Sequence, residues 1–300
     1  MIKKPTFGWI YHTFPRDNTR IETLYAENSH FLDLLRGSFE TLWFDDHLQK
    51  AGAPLLETWT TLTYIAAQNP DFKVGTLVLC QSFRNPGLLG KMMATLQILS
   101  GGRYIAGIGA GWKEDEYQAF GYEYPPAKIR LEQLEEAVQL FRVMWSRSPA
   151  TFEGKHYSLC QADCEPLPQP PPPLLVGGKG EKFALRVVAK HADWMNITFV
   201  DVLTYAHKLE VLKQHCAEVG RDYNDIIKSL WAYVFVTKEG TQPIPDHDNR
   251  YQIFGTPGQV TDELARFIEL GVQHFMLRFI DFPDTQGAEL FLKDVLPAFQ

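Results

Sequence analysis

The chain has 300 residues, 45% of them hydrophobic, which is enough to bury one large core. Its 29 Lys and Arg stand against 36 Asp and Glu, and the net charge of −7 lacks the basic footprint of a nucleic-acid binder. No apolar run approaches the roughly 18 to 20 residues of a membrane span, and Met1-Ile-Lys-Lys-Pro-Thr6 carries no apolar signal core, so a cytoplasmic protein with no membrane partner is expected. The four cysteines, Cys80, Cys160, Cys164 and Cys216, form no C-x-x-C pair and are expected as reduced thiols. His156, Cys160 and Cys164 lack a fourth ligand of obvious spacing, so no metal site is expected.

Apolar strand-like segments alternate with segments of helical period along the whole chain. Phe7-Tyr11 precedes a helix from about Thr19 to Arg36, whose face carries Ile21, Leu24, Asn28, Phe31 and Leu35. Glu40-Asp45 leads to a helix near Glu57-Ala67. Lys73-Cys80 leads to Pro86-Leu99, where Pro86 suits a first helical turn. Arg103-Ile108 is followed, after an irregular insertion, by Ile129-Trp145, with Leu134, Ala137, Val138, Phe141 and Trp145 as a core stripe. Four further units follow: Leu174-Val176 with Glu181-Lys190, Trp194-Thr198 with Leu203-Val219, Ser229-Val236 with Pro257-Glu269, and His274-Ile280 with Ala288-Phe299. Eight strand–helix units in this length imply parallel strands joined by right-handed crossovers, and hence a closed (β/α)8 TIM barrel with insertion loops. The proline-rich stretch Pro166-Pro173 runs straight into a strand and reads as a stiff insertion, so residues 1–300 are expected to form a single domain.

In such a barrel the site is built where the strands end. The strand ends are Trp9-His12, Trp43-His47, Thr76-Cys80, Gly109-Trp112 and Gly177-Gly180. Asp46-His47 is the acid–histidine pair among them, and histidine exchanges protons near neutral pH. The competing structural reading has Asp46 capping the next segment with His47 packed under it. His12 and Glu116 are softer candidates, whereas His191 and His274 read as structural. Gly177-Gly-Lys-Gly180 precedes a helix, so its free N–H groups and the positive helix end suit a phosphate, with Lys179 or Lys182 adding charge. Gly109 and Gly111 suit close approach of a ligand, although Trp112 breaks the G-x-G-x-x-G dinucleotide pattern. Trp9, Trp43, Trp112 and Tyr117 near strand ends suit the wall of a planar ring, whereas Trp145 and Trp231 fit plain barrel core.

Six segments, spread over almost the whole chain, resemble the bacterial-luciferase-like superfamily of flavin and deazaflavin oxidoreductases. They are Leu42-Trp-Phe-Asp-Asp-His47, Leu56-Glu-Thr-Trp59, Phe83-Arg-Asn-Pro86, Leu99-Trp112, Gly154-Lys-His-Tyr157 and Val176-Gly-Gly178. The resemblance implies a dimeric TIM-like barrel with its cofactor ring at the carboxyl ends of the strands. Asp46 and His47 match the pair beside the reactive centre ring, with His47 the proton-transfer group. Leu77-Val78 matches a non-prolyl cis peptide that buttresses the ring. Gly109, Gly111 and Trp112 match the loop beside the cofactor, and Gly177, Gly178 and Lys179 match its phosphate loop. Two departures stand out: Tyr11-His12 replaces an apolar residue and proline, and Trp194-Met195 replaces Gly-Trp.

The Asp–His pair resembles deazaflavin users, which implies coenzyme F420 and hydride transfer to or from a small organic substrate. The alternative is an FMN-dependent monooxygenase that uses O₂ and reduced flavin, and a separate flavin or F420 reductase is then the expected partner that supplies the reduced cofactor. A non-catalytic flavin-binding barrel is the reading from another class. The substrate residues and the 237–254 loop have no match.

Overall fold

The computed structural model of the chain describes residues 4–15, 21–50, 52–238 and 250–300. In order these form β1 (Thr6–Ile10), α1 (Ile21–Leu35), β2 (Thr41–Phe44), α2 (Thr58–Gln68), β3 (Lys73–Thr76), β4 (Leu79–Cys80) and α3 (Pro86–Leu99). There follow β5 (Tyr104–Gly109), α4 (Glu114–Ala119), α5 (Ala127–Ser146), the hairpin β6 (Ala150–Glu153) and β7 (Ser158–Ala162), β8 (Leu174–Gly177), α6 (Ala184–His191) and β9 (Trp194–Thr198). The last are α7 (Val202–Val219), β10 (Ile227–Val236), β11 (Gln252–Gly255), α8 (Pro257–Glu269), β12 (His274–Phe279) and α9 (Gln286–Leu290).

Parallel pairing runs β12-β1-β2-β3-β5-β8-β9-β10 and returns from β10 to β12, which closes the (β/α)8 barrel expected from the alternating units. Short β11 lies parallel to the end of β10, where β9 has stopped. Local chemistry sets several of the helix starts. Asn85 caps α3 by accepting from Leu88 N at 3.2 Å, one residue before Pro86. Thr256 and Gln259 form a reciprocal capping box ahead of α8. Among the described residues no helix is long and apolar enough to cross a membrane.

Alternation along the strands separates two cores. Outward residues such as Phe7, Trp9, Leu42, Phe44, Tyr104, Ala106, Ile108, Phe275 and Leu277 join the large layer beneath the helices. Inward residues Ile10, Trp43, Leu77, Ile105, Leu175 and Met276 fill the barrel, with Val78, Trp194 and Trp231 packed against them. Trp43 occupies space left by two glycines: a Cβ on Gly8 would lie 2.4 Å from its Nε1, and one on Gly75 2.3 Å from its Cζ3. Its Nε1–H donates to His274 Nε2 at 3.0 Å, and His274 Nδ1 meets Thr6 Oγ1 at 2.6 Å. Burial pulls the His274 pKa down to about 3, so this histidine is a neutral part of the barrel floor.

Some expectations need correction. Trp9 lies outside the barrel, stacked on Phe31 at 5.0 Å, and Trp43 plugs the interior, so neither walls a cleft. Trp145 is core, as read, but Trp231 is only half-buried and reaches the mouth. The Lys73-Cys80 strand is interrupted at Leu77-Val78, giving β3 and β4. The helix expected from Glu181 begins at Ala184. The last helix is broken into α9, a π turn and a 3₁₀ turn that contains Pro297, a residue with no N–H to continue the ladder. The expected start of the first helix at Thr19, and residues 239–249 of the 237–254 segment, lie outside the described residues.

Candidate active site at the barrel mouth

The ends of β2, β3 and β5 are tied together by close backbone approach. The Leu77–Val78 peptide is cis, as the family resemblance implies. Val78 projects toward two inward glycines: a Cβ on Gly109 would lie 2.7 Å from its Cγ2, and one on Gly177 2.8 Å from its Cγ1. Gly107 is tighter still, with Thr76 O 1.8 Å from where its Cβ would sit. The glycines of the Gly107-Gly111 run therefore first make room for the protein's own β3–β4 bulge. Gly111, at φ 74, needs both the left-handed conformation and the missing side chain, since Tyr117 Oη would lie 2.0 Å from its Cβ. Tyr117 itself is buried under this loop, its hydroxyl 2.9 Å from Cys80 Sγ, and so walls no cleft. Burial pushes the Cys80 thiol up to about 11, which leaves it unreactive at neutral pH.

Asp46 and His47 diverge in role although they are neighbours. Arg84 grips both Asp46 oxygens, Nη1 to Oδ2 at 2.8 Å and Nη2 to Oδ1 at 3.1 Å, and Cys80 N–H donates to Oδ2 at 2.9 Å. Arg84 also donates to Glu57 Oε1 at 2.7 Å, and Glu57 caps α2. Asp46 thus braces β2 against β4 and α2 but caps no helix, since Glu57 caps α2, unlike the structural alternative weighed for it. His47 sits on the open side, with 27% of its side chain exposed. Its Nδ1 lies 2.9 Å from Glu116 Oε1, and Trp112 stands edge-on to the ring at 6.2 Å. Trp112 itself is 68% exposed, on the same loop that supplies Glu116.

Burial opposes the charged form of His47, but the Glu116 hydrogen bond and the fields of Asp45 and Glu116 outweigh it and raise its pKa above the ordinary value. For Glu116, buried to 1% exposure, desolvation is outweighed by His47 and by Lys113, whose Nζ is 3.1 Å away, and its pKa falls. This makes Glu116 the orienting partner of His47. The spacing Trp112-x-x-x-Glu116 was the available signal, but nothing in the sequence fixes which histidine it meets. His12, by contrast, stacks on Phe282 at 3.9 Å, and its backbone is tied to Asn28, which places it with Trp9 in the outer layer.

Gly177-Gly-Lys-Gly180 follows β8. Gly178, at φ 153, donates its N–H to Asn196 O at 3.2 Å, and Lys179 is exposed. Phe183 gives the first turn of α6 no side-chain hydrogen bond and Leu185 N–H is taken by Gly180 O at 3.1 Å, so the helix end offers an anion only its remaining first-turn N–H groups. His156 Nε2 faces Glu132 at 3.2 Å, and the described residues contain no His/Cys/Asp/Glu group able to hold a metal ion.

The opposite side of the mouth escaped the sequence reading. Asp45 meets Arg278 Nη2 at 3.1 Å, and both side chains are nearly fully buried. Tyr233 stands beside Arg278 in register, and Trp231 beside Thr198. Phe199 packs on Trp231 at 4.5 Å and on Tyr233 at 5.1 Å, and Arg250 Nη1 donates to Tyr233 Oη at 3.0 Å. Asp45 Oδ1, Arg278 Nε, Trp231 Nε1 and Asn196 Oδ1 are buried without a hydrogen-bond partner. Only pairing of β1, β2, β10 and β12 in space brings these residues together.

A closed parallel barrel whose strand ends carry a buttressed cis peptide, a paired histidine and an uncapped helix after a glycine loop has the form of a cofactor-binding TIM barrel. The profile of the luciferase-like monooxygenase family matches residues 36–242, and the chain belongs to that family. A relative from Microbacterium testaceum, an F420-dependent glucose-6-phosphate dehydrogenase, is 24% identical over 86% of this chain and 88% of its own. An F420-dependent secondary alcohol dehydrogenase, solved with an F420–acetone adduct, superimposes with a TM-score of 0.84 at 20% identity, covering 99% of both chains. A long-chain alkane monooxygenase superimposes with a TM-score of 0.82 at 16% identity, covering 100% of this chain and 92% of its own. The two structural likenesses establish the fold.

Proposed function

We propose that the protein is an F420-dependent oxidoreductase that moves hydride to or from a small organic substrate, with His47 as the proton-transfer residue. The observation that carries this reading is the His47–Glu116 pair, its histidine partly exposed past the end of β2, beside Asp46, which is bonded to Cys80 N–H just after the cis Leu77–Val78 peptide. The residues present suit a deazaflavin cofactor. Val78, seated against Gly109 and Gly177, is a firm apolar platform for a ring, and Gly177, Gly178 and Lys179 with the uncapped start of α6 suit its phosphate. When bound, the deazaflavin supplies the hydride chemistry.

The protein's part is to position the reactants and handle the proton. Glu116 fixes Nδ1 of His47, leaving Nε2 as the exchanging position; the raised pKa favours the protonated ring, ready to donate when a carbonyl is reduced. In the other direction the neutral ring accepts the hydroxyl proton. Asp46 acts through position only, holding the β2 end by way of Arg84. We also take the protein to work as a cytoplasmic homodimer, with the family resemblance as support.

Titration with F420, followed by visible absorbance, tests the cofactor. His47→Gln is expected to keep F420 binding and to lower turnover by about 10² to 10⁴; full turnover in that variant sinks the assignment. Binding of FMN but not F420, together with O₂ consumption on free reduced FMN, would instead make the protein a monooxygenase supplied by a separate reductase.

A further inference from the structure

The Asp45–Arg278 pair is unusual because it is buried and yet incompletely bonded. One contact, Nη2 to Oδ2 at 3.1 Å, joins the two side chains, while Asp45 Oδ1 and Arg278 Nε have no hydrogen-bond partner. Trp231 Nε1, whose ring lies 5.7 Å from the Arg278 guanidinium, is in the same condition. Buried polar atoms are seldom left unpaired, and three around one guanidinium mark a place where a ligand completes the network. The walls are flat: Phe199, Trp231 and Tyr233 pack within 4.5–6.5 Å of one another, and the Arg278 guanidinium lies 5.7 Å from the Trp231 ring.

We propose that Asp45, Arg278 and Trp231 form the substrate subsite, and that it takes an uncharged, flat-bodied alcohol or carbonyl compound in preference to a phosphate ester. This rests on the oxidoreductase reading of the same mouth. The unpaired atoms comprise one acceptor, Asp45 Oδ1, and two donors, Arg278 Nε and Trp231 Nε1. A hydroxyl donates to one kind and accepts from the other, and a carbonyl accepts from the donors, so both redox partners of one substrate are served. A phosphate dianion fits poorly because Arg278 is already paired with a carboxylate, and the dianion would stand beside it. Arg250 closes the outer edge of the wall, its guanidinium 5.0 Å from the Phe199 ring and bonded to Tyr233 Oη. His47, whose charge the Asp45 carboxylate favours, links the subsite to the proton-transfer side.

Saturation-transfer NMR on the purified protein, with benzyl alcohol and phenyl phosphate as probes, tests the subsite without any cofactor. Benzyl alcohol is expected to bind at least about tenfold more tightly than phenyl phosphate. Trp231→Phe, which keeps a ring and removes the N–H, is expected to weaken benzyl alcohol by about three- to tenfold. The double variant Asp45→Leu/Arg278→Met is expected to abolish the preference while leaving the circular dichroism spectrum and the F420 titration unchanged. Equal or tighter binding of phenyl phosphate, no binding of benzyl alcohol, or parent-like binding by the folded double variant overturns the subsite. Failure of F420 to bind, with the NMR preference intact, overturns only the cofactor reading.

Discussion

The two sides of the barrel mouth are built on opposite plans. On the side of β2 to β5, polar groups are paired and backbones touch: Asp46 is held by Arg84 and Cys80 N–H, and Val78 fills the space that Gly109 and Gly177 leave. Across the barrel, where Arg278 of β12 and Trp231 of β10 reach toward Asp45 at the β2 end, a buried ion pair makes one contact and Asp45 Oδ1, Arg278 Nε and Trp231 Nε1 lack partners. Rigidity on the first side suits a surface that must hold a ring and a histidine in fixed register. The incomplete network on the second suits a surface whose last bonds come from a substrate. The difference sets a braced region apart from an incompletely bonded one, and the end of β2 carries both, Asp46 in the first and Asp45 in the second.

That contrast is open to direct tests. Arg84→Met on the paired side leaves Asp46 buried without its counter-charge, and urea unfolding should show a loss of about 3 to 5 kcal/mol. A loss under 1 kcal/mol would mean that the brace carries little of the mouth's rigidity. Gly107→Ala forces a methyl against Thr76 O and should cost about 1 to 3 kcal/mol by the same measurement.

Glu116→Gln acts on protonation more than on folding. The His47 pKa is raised in the folded protein, so proton donation extends to higher pH than an ordinary histidine allows and is lost as pH rises through the raised pKa. With the carboxylate gone and burial retained, the descending limb of the reduction rate against pH should move to lower pH. An unmoved limb would detach Glu116 from His47. The smallest stability change belongs to the second side: Asp45→Leu/Arg278→Met replaces an incompletely bonded pair with apolar groups, and stability should stay within about 1 kcal/mol of the parent or rise. A loss as large as that of Arg84→Met would erase the distinction between the two sides.

Most of the barrel was legible because it rests on local signals. Continuous apolar strands such as Tyr104–Gly109, periodic helices such as Ala127–Ser146 and caps such as Asn85-Pro86 need only neighbouring residues. The hairpin β6–β7 and strand β11 were not foreseen: the hairpin is a short two-stranded sheet of its own, and β11 pairs where β9 leaves β10 an edge. Within the site, the Asp46-His47 and Gly109-Trp112 motifs located the right loops but not the direction of each side chain. Asp46 turned to Arg84, Trp43 and Trp9 went to two different cores, and Tyr117 went beneath the loop rather than beside a ligand.

The sequence by itself determined the alternation of strands and helices, the parallel barrel that follows from it, and the strand ends where chemistry must sit. Those are consequences of periodicity and chain connectivity, which act over a few residues at a time. Tertiary structure alone decided that Glu116 serves His47, that the glycines serve Val78, and that Asp45 meets Arg278 across 233 positions of chain. Such contacts depend on which strands become neighbours when the barrel closes and on which face each residue then presents, and no local pattern encodes either.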